Sequence, residues 1–160
     1  MSSRAVDVYL NDHLAGASFG CELAEQIRRR HEGDELGELM SSLSPEIEED
    51  RQTLLRLMDG MGVARNPIKQ ATGWMAEKVS RMKFSGVASG EPDQAAFMAL
   101  ESLTIGVQGK ACMWRALREV AGEHSALRAE QLDELASRAE HQREALEQAR
   151  RNAGRHALAG

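Results

Sequence analysis

The chain has 160 residues, of which 42% are apolar and only 4% aromatic, and its formal net charge is −5. This length predicts one domain, and many strong helix formers with few β-branched residues favour an all-α fold. The acidic balance argues against a general attraction to nucleic acid or to an anionic membrane. No stretch reaches the roughly 20 apolar residues that span a bilayer, and the polar N-terminus is unlike a secretory signal. We therefore expect one cytoplasmic domain over residues 1–160.

The first predicted helix covers about residues 4–31. Its apolar positions recur in steps of three and four, the pattern of a helix with one buried face: Val6, Leu10, His13, Ala17, Gly20, Ala24 and Ile27. Small residues, including Gly16 and Gly20, cluster in its middle. Glycine costs about 1 kcal/mol relative to alanine inside a helix, so we expect a neighbouring helix to approach closely here.

The second predicted helix carries a buried stripe that includes Asp50, and the stripe runs without interruption past Pro45. Proline inside a helix removes a hydrogen bond and usually kinks the helix, whereas it is favoured in a first turn. We therefore predict two segments, 34–43 and 45–61, that share one buried face.

The connection at residues 62–92 is too long for a simple turn between bundle helices. Its own apolar spacing, from Ile68 to Met82, predicts a further short helix at about 66–84. Such a connection suits a crossover that lets the helices on either side of it run parallel.

The next predicted helix covers about residues 92–121. Gly106 and Gly109 repeat the small-residue pattern of the first helix, so these two helices are expected to pack closely.

The last predicted helix covers about residues 125–153, and the residues after it are expected to fray. Charge pairs spaced by four residues, Glu134–Arg138 and Glu147–Arg151, are expected on its outer face.

These helices predict two antiparallel hairpins joined by a long crossover, and in this the chain resembles the ferritin-like superfamily over essentially its full length. The blocks DVYLNDHLAGASFGCELAEQI, PEIEEDRQTLLRLM, PIKQATGWMAEKVSRMKFSG and GVQGKACMWRAL are similar to those of a group of uncharacterised bacterial helical proteins. The resemblance implies a ferritin-like four-helix bundle with an extra short helix in the crossover. It brings no known activity.

The di-iron centre of active ferritin-like proteins needs a Glu-x-x-His motif on each of two helices. No histidine of this chain follows a glutamate by three residues; those positions hold Leu10, Arg28, Ala121, Arg138 and Ala153. Glu46 and Glu49 have the spacing of a carboxylate variant of the motif, but both flank the buried stripe and are expected to face solvent. We therefore expect no cofactor, and at most a degenerate metal site.

The two cysteines, Cys21 and Cys112, are far apart, lack CxxC spacing and lie among apolar residues. Free cysteine is commonly buried as a small apolar residue, so we expect neither a disulfide nor a metal role for them.

A polar layer is expected in the middle of the bundle. Counting residues outward from the two hairpin turns, at equal rise per residue, brings together His13, Asp50, Gln108 and Gln142, with Glu101 one to two turns away. Asp50 is expected to pair with His13 and to raise the pKa of its imidazole. The layer can be a buried network that fixes helix register, an altered metal or small-ligand site, or a catalytic His–Asp pair, which would need a pocket and a nucleophile.

The sequence is compatible with two functions. The first is a non-catalytic bundle that acts through protein contacts, for example as a homodimer, with Trp74 and Trp114 as interface side chains or as ordinary core. The alternative is a protein that binds a metal or small ligand with the polar layer around His13 and Asp50. No reaction class is indicated for an enzyme, and neither nucleic acid nor a membrane is an expected partner.

Overall fold

A computed structural model describes residues 4–66 and 91–159 of the chain. In these ranges the chain forms four long helices and no strand: α1 Arg4–Arg30, α2 Glu35–Gly60, α3 Pro92–Glu119 and α4 Ala129–Leu158. A 3₁₀ turn, Ala121–Glu123, lies between α3 and α4. The predicted all-α class is confirmed. The expected crossover helix at 66–84, with Trp74, falls outside the described residues.

The helices pack as a bundle of two hairpins. Helix α1 packs against α2 and α3 packs against α4, while contacts of α1 with α3 and of α2 with α4 join the hairpins. Leucine dominates the shared core, to which all four helices contribute. Among residues 4–66 and 91–159, no helix combines the length and the apolar character needed to cross a membrane.

The turn between α1 and α2 is fixed by local hydrogen bonds. The Asp34 carboxylate accepts a hydrogen bond from the Gly37 backbone N–H at 2.9 Å and contacts His31 Nδ1 at 2.8 Å, which caps the first turn of α2. Gly33 has a φ of 95°, a left-handed conformation that glycine adopts without strain. A Cβ atom on Gly37 would lie 1.9 Å from the His31 carbonyl oxygen, so no other residue fits this turn unchanged.

The predicted break at Pro45 is wrong, because α2 continues through it from Glu35 to Gly60. Proline in a helix leaves one carbonyl without its donor, here that of Ser41. Both Ser41 and Pro45 are exposed, so water can solvate that carbonyl. The interior proline therefore lies on the face of α2 where it costs least.

The predicted limits of the last helix are also wrong. Helix α4 begins at Ala129 and continues to Leu158. Gly154 is buried, and a Cβ atom placed on it would lie 2.9 Å from the Phe97 ring. The Arg150 guanidinium stacks over the same ring at 5.7 Å. These contacts with α3 hold the final turns of α4 in place and oppose the fraying expected from the sequence.

The outer charge pairs of α4 also differ from expectation. Glu147 pairs with Arg150, at 2.7 Å, instead of Arg151. Arg138 reaches across to Glu49 and Asp50 on α2. A long arginine stem can extend along an apolar surface and place its charge far from its own backbone, which spacing along one helix does not reveal.

The exposure of Trp114, Cys112 and Cys21 tests the roles that were expected for these side chains. Trp114 is fully buried, so it is core and not an exposed interface residue. Cys112 is exposed, contrary to expectation, whereas Cys21 is partly buried. Burial, with the neighbouring Glu48, raises the pKa of the Cys21 thiol to about 12, which keeps it protonated and unreactive.

Candidate functional site

Asp50 on α2 is the centre of a buried polar network. Its side chain is 1% exposed, and both of its oxygens accept hydrogen bonds from other helices. Oδ1 accepts from Nε of Arg138 on α4 at 3.1 Å, and also from Nη2 of the same residue. Oδ2 accepts from Lys110 Nζ on α3 at 2.5 Å and from Gln142 Nε2 on α4 at 3.2 Å. One carboxylate therefore ties three helices together.

Lys110 is the second charge of this network, and it is largely but not fully buried. Its side chain is 13% exposed, and Nζ donates to Gln142 Oε1 at 2.5 Å as well as to Asp50. Burial lowers the pKa of Lys110, and the negative charge of Asp50 opposes that shift. A buried ammonium is tolerated only beside a counter-charge and acceptors, and Asp50 and Gln142 supply them.

The Gln142 amide completes the hydrogen bonding and extends it to Glu46. Its Nε2 also donates to Glu46 Oε2 at 3.1 Å, so both ends of the amide are used. Gln142 is buried, Glu46 is half-buried and Glu49 is exposed. The expectation that both glutamates face solvent therefore holds for Glu49 and is wrong for Glu46.

Of the five residues expected in the polar layer, the structure brings Asp50 and Gln142 into direct contact. Gln108 is exposed and donates to Cys112 Sγ at 3.7 Å, and Glu101 is exposed and pairs with Arg150 at 3.0 Å. Neither of these two residues joins the network.

His13 does not have the partner that was expected for it. Its ring packs edge-on against Tyr9, with ring centroids 4.6 Å apart, while the Asp50 oxygens are taken by the three side chains described above. Burial lowers the pKa of His13, and the nearby Asp12 opposes this. The expectation that Asp50 raises the pKa of His13 is therefore wrong. The two residues are nevertheless related, since both border one cavity.

This cavity has a volume of about 230 Å³ and lies between α1, α2 and α3. Apolar side chains form most of its wall, among them Leu23, Ile47, Leu54, Leu103, Val107 and Trp114. His13, Asp50 and Lys110 border it as well. Ligand sites typically combine such a mainly apolar wall with a few converging polar groups. The cavity is therefore the candidate site, and it was not foreseen from the sequence.

The four mid-helix glycines lie beside this cavity. Gly16, Gly20, Gly106 and Gly109 all border it. A Cβ atom on Gly16, Gly106 or Gly109 would meet no atom of the described residues within 4 Å, and one on Gly20 would lie an ordinary 3.9 Å from Leu103. The expected close approach of helices is thus wrong at Gly16, Gly106 and Gly109 as far as the described residues are concerned, whereas Gly20 does lie close to Leu103 of α3. The other three glycines border open space instead.

The residues of the network do not fit a metal centre. In the described part of the chain, no three His, Cys, Asp or Glu side chains are grouped so that they could hold a metal ion. Metal-binding carboxylates need free oxygen lone pairs, and Asp50 directs its own at Lys110, Arg138 and Gln142.

Comparisons with models of known protein families, with curated proteins and with solved structures find no match for this chain.

Proposed function

We propose that this protein is a binding module that holds a small, mainly apolar molecule in the cavity between α1, α2 and α3. The cavity itself is the observation that carries the proposal. An apolar cavity of about 150 Å³ can bind benzene, and this one measures about 230 Å³. It has room for a one-ring molecule with several further atoms.

The stability that the mid-helix glycines cost supports the proposal. Each glycine inside a helix destabilises it by about 1 kcal/mol relative to alanine. At Gly16, Gly106 and Gly109 no atom of residues 4–66 and 91–159 would obstruct a methyl group, so packing within these ranges does not require glycine there. A binding function does, because side chains at these positions would occupy the space that the ligand needs. Stability is commonly given up where function demands it.

The network around Asp50 supports a binding role more than a catalytic one. Lys110, the one amine among the described residues that border the cavity, donates to Asp50 and Gln142, and the negative charge of Asp50 opposes the lowering of its pKa by burial. An amine that is hydrogen-bonded to a carboxylate in this way is less free to act as a nucleophile. We therefore propose a non-catalytic bundle without a cofactor. A ferritin-like, cytoplasmic protein remains our proposal for its class, supported by the two hairpins and by the sequence blocks quoted above.

A titration with a one-ring probe tests the binding proposal. We expect acetophenone, added to the full-length protein, to raise the melting temperature and to bind saturably by isothermal titration calorimetry. Gly109→Leu places a side chain in the cavity and should abolish both effects. Ala116→Leu is the matched control, because Ala116 is an exposed residue of the same helix and does not border the cavity.

Equal binding to the wild type and to both variants would place the probe elsewhere and contradict the proposal. No binding of acetophenone or of its hydrocarbon analogue isopropylbenzene to the wild type would contradict it as well.

A protein-contact function, with a homodimer as one form, is the second candidate. The specific observation in its favour is the set of exposed apolar side chains Val8 and Tyr9 on α1 and Met98 and Ile105 on α3, of which Ile105 is 55% exposed. Light scattering after size exclusion separates the two proposals. A dimer that Ile105→Lys converts to a monomer would favour this function, and a wild-type monomer at high concentration would argue against the homodimer.

A further inference from the structure

Lys110, which borders the cavity, has an N–H donor without an acceptor among the described residues. A lysine ammonium has three N–H donors. Lys110 uses two of them, for Asp50 and Gln142, each at 2.5 Å. No third acceptor is found for Nζ among residues 4–66 and 91–159, and Lys110 borders the cavity. The third donor is therefore available to a ligand.

A second residue that borders the cavity, Trp114, also has an N–H donor without an acceptor in the described ranges. Trp114 borders the cavity, and its side chain is fully buried. Its indole Nε1 is buried and has no hydrogen-bond partner within the described ranges. Buried donors are almost always paired in native proteins. Because both residues border the cavity, a hydrogen-bond acceptor inside it would lie near two residues whose donors are not all paired within the described ranges.

The charges around the cavity decide whether that acceptor is an anion. Among residues 4–66 and 91–159, five titratable residues border the cavity: Asp12, His13, Asp50, Arg51 and Lys110. The two cations are already matched, since Lys110 contacts Asp50 at 2.5 Å and Arg51 contacts Glu48 at 2.7 Å.

The remaining two bordering groups add no positive charge. Asp12 is an exposed carboxylate, and the buried environment of His13 favours its neutral form. The described part of the wall thus offers donors without excess positive charge, so a ligand carboxylate would gain no counter-charge from it to offset its desolvation.

We infer that the ligand is an uncharged, compact apolar molecule with a carbonyl-type oxygen, and that this oxygen accepts a hydrogen bond from Lys110. The inference rests on the proposed function and adds the ligand class to it. Lys110 is then a residue that determines specificity. It recognises the oxygen, while the apolar wall and the space beside the glycines accept the rest of the molecule.

A pair of probes with matched shape tests the inference. Acetophenone carries a carbonyl oxygen where isopropylbenzene carries a methyl group. The variant Lys110→Met keeps an unbranched apolar stem but removes the N–H donors. We expect it to weaken acetophenone binding by about ten-fold, which corresponds to about 1.4 kcal/mol, and to leave isopropylbenzene binding unchanged or slightly tighter. Unchanged acetophenone affinity, or equal loss for both probes, would overturn the inference.

An infrared measurement uses only the wild-type protein and so does not depend on the folding of a variant. The infrared carbonyl stretch of bound acetophenone should lie at the low frequency of a hydrogen-bonded ketone. A stretch at the frequency seen in a hydrocarbon solvent would overturn the inference, although binding itself, and so the proposed function, would stand.

Benzoate tests the uncharged class of the ligand. It is expected to bind at least ten-fold more weakly than acetophenone, and tighter binding of benzoate would refute the uncharged ligand. If neither acetophenone nor isopropylbenzene binds the wild type, the proposed function fails, and the ligand class fails with it.

Discussion

Replacement of Asp50 by alanine removes a carboxylate that joins α2 to both α3 and α4. The side chain is 1% exposed and accepts from Lys110, Arg138 and Gln142. Removing one partner of a buried ion pair costs about 3–5 kcal/mol, because the other charge stays buried without its partner. Arg138 is 30% exposed and keeps Glu49 at 3.4 Å, so the unpaired charge is mainly Lys110. We therefore expect a loss near the low end, about 3 kcal/mol.

Denaturant unfolding followed by circular dichroism measures this loss. For a chain of this size, a change of about 3 kcal/mol also lowers the melting temperature by roughly 6–12 °C. Asp133→Ala is the matched control. It removes an aspartate that pairs with Arg118 at 3.1 Å but is 62% exposed, and exposed pairs contribute no more than about 1 kcal/mol. A loss below about 1 kcal/mol for Asp50→Ala would refute the reasoning.

Double-mutant cycles identify the partner of Asp50. The variants Asp50→Asn and Lys110→Met should be strongly non-additive, because the two side chains are in contact, whereas Asp50→Asn and His13→Ala should add within about 0.5 kcal/mol. Coupling to His13 with none to Lys110 would restore the pairing expected from the sequence and contradict the structure.

Three further predictions concern single residues. Gly16→Ala should raise the free energy of unfolding by up to about 1 kcal/mol while weakening probe binding. Gly37→Ala should instead be strongly destabilising, because its Cβ would overlap the His31 carbonyl. Chemical unfolding measures both variants, and equal changes in the free energy of unfolding would contradict the account. The pKa of His13 is lowered in the folded state. As the pH falls below the ordinary histidine value near 6.5, the unfolded chain therefore takes up the proton first, and stability is lost. The stability difference between wild type and His13→Gln should become less favourable to the wild type between about pH 7 and pH 5, and a pH-independent difference would refute this. At pH 8, iodoacetamide should label the exposed Cys112 within minutes and leave Cys21, whose pKa is about 12, unmodified until the protein unfolds, as peptide mass spectrometry would show.

Apolar periodicity was sufficient to predict the four long helices of the described residues, because burial of one face per helix determines the bundle. It failed where a local rule competes with tertiary context. The Pro45 break was predicted from the usual cost of an interior proline, but exposure of that side of α2 lowers the cost. The end of α4 was predicted to fray, but the buried contact of Gly154 with Phe97 holds it. Both errors arise because sequence patterns do not show which residues meet across helices.

The candidate site was only partly predictable for a related reason. Asp50 and Gln142 interrupt apolar stripes, and counting residues from the hairpin turns correctly brought them together. Lys110 and Arg138 were missed because charged residues off a stripe are normally solvated. Their long side chains bring charge to a buried carboxylate from positions that look external. The unsatisfied charge of a buried Asp50 was the available signal, since such a group requires a cation nearby.

The cavity could not be read from the pattern at all. A row of small residues is compatible with close helix packing and with open space, and only coordinates distinguish the two. At Gly16, Gly106 and Gly109 the structure shows open space.

The most direct test of the central claim is the ¹⁵N–¹H resonance of the Trp114 indole during a titration with acetophenone. Trp114 borders the cavity and its Nε1 lacks a partner in the described part of the chain, and a Trp74→Phe background assigns the signal. The account predicts a saturable shift in the wild type and in Ala116→Leu, and none in Gly109→Leu. An indole resonance that stays in place at saturating probe, or that moves equally in Gly109→Leu, would contradict the claim that this cavity is a ligand site.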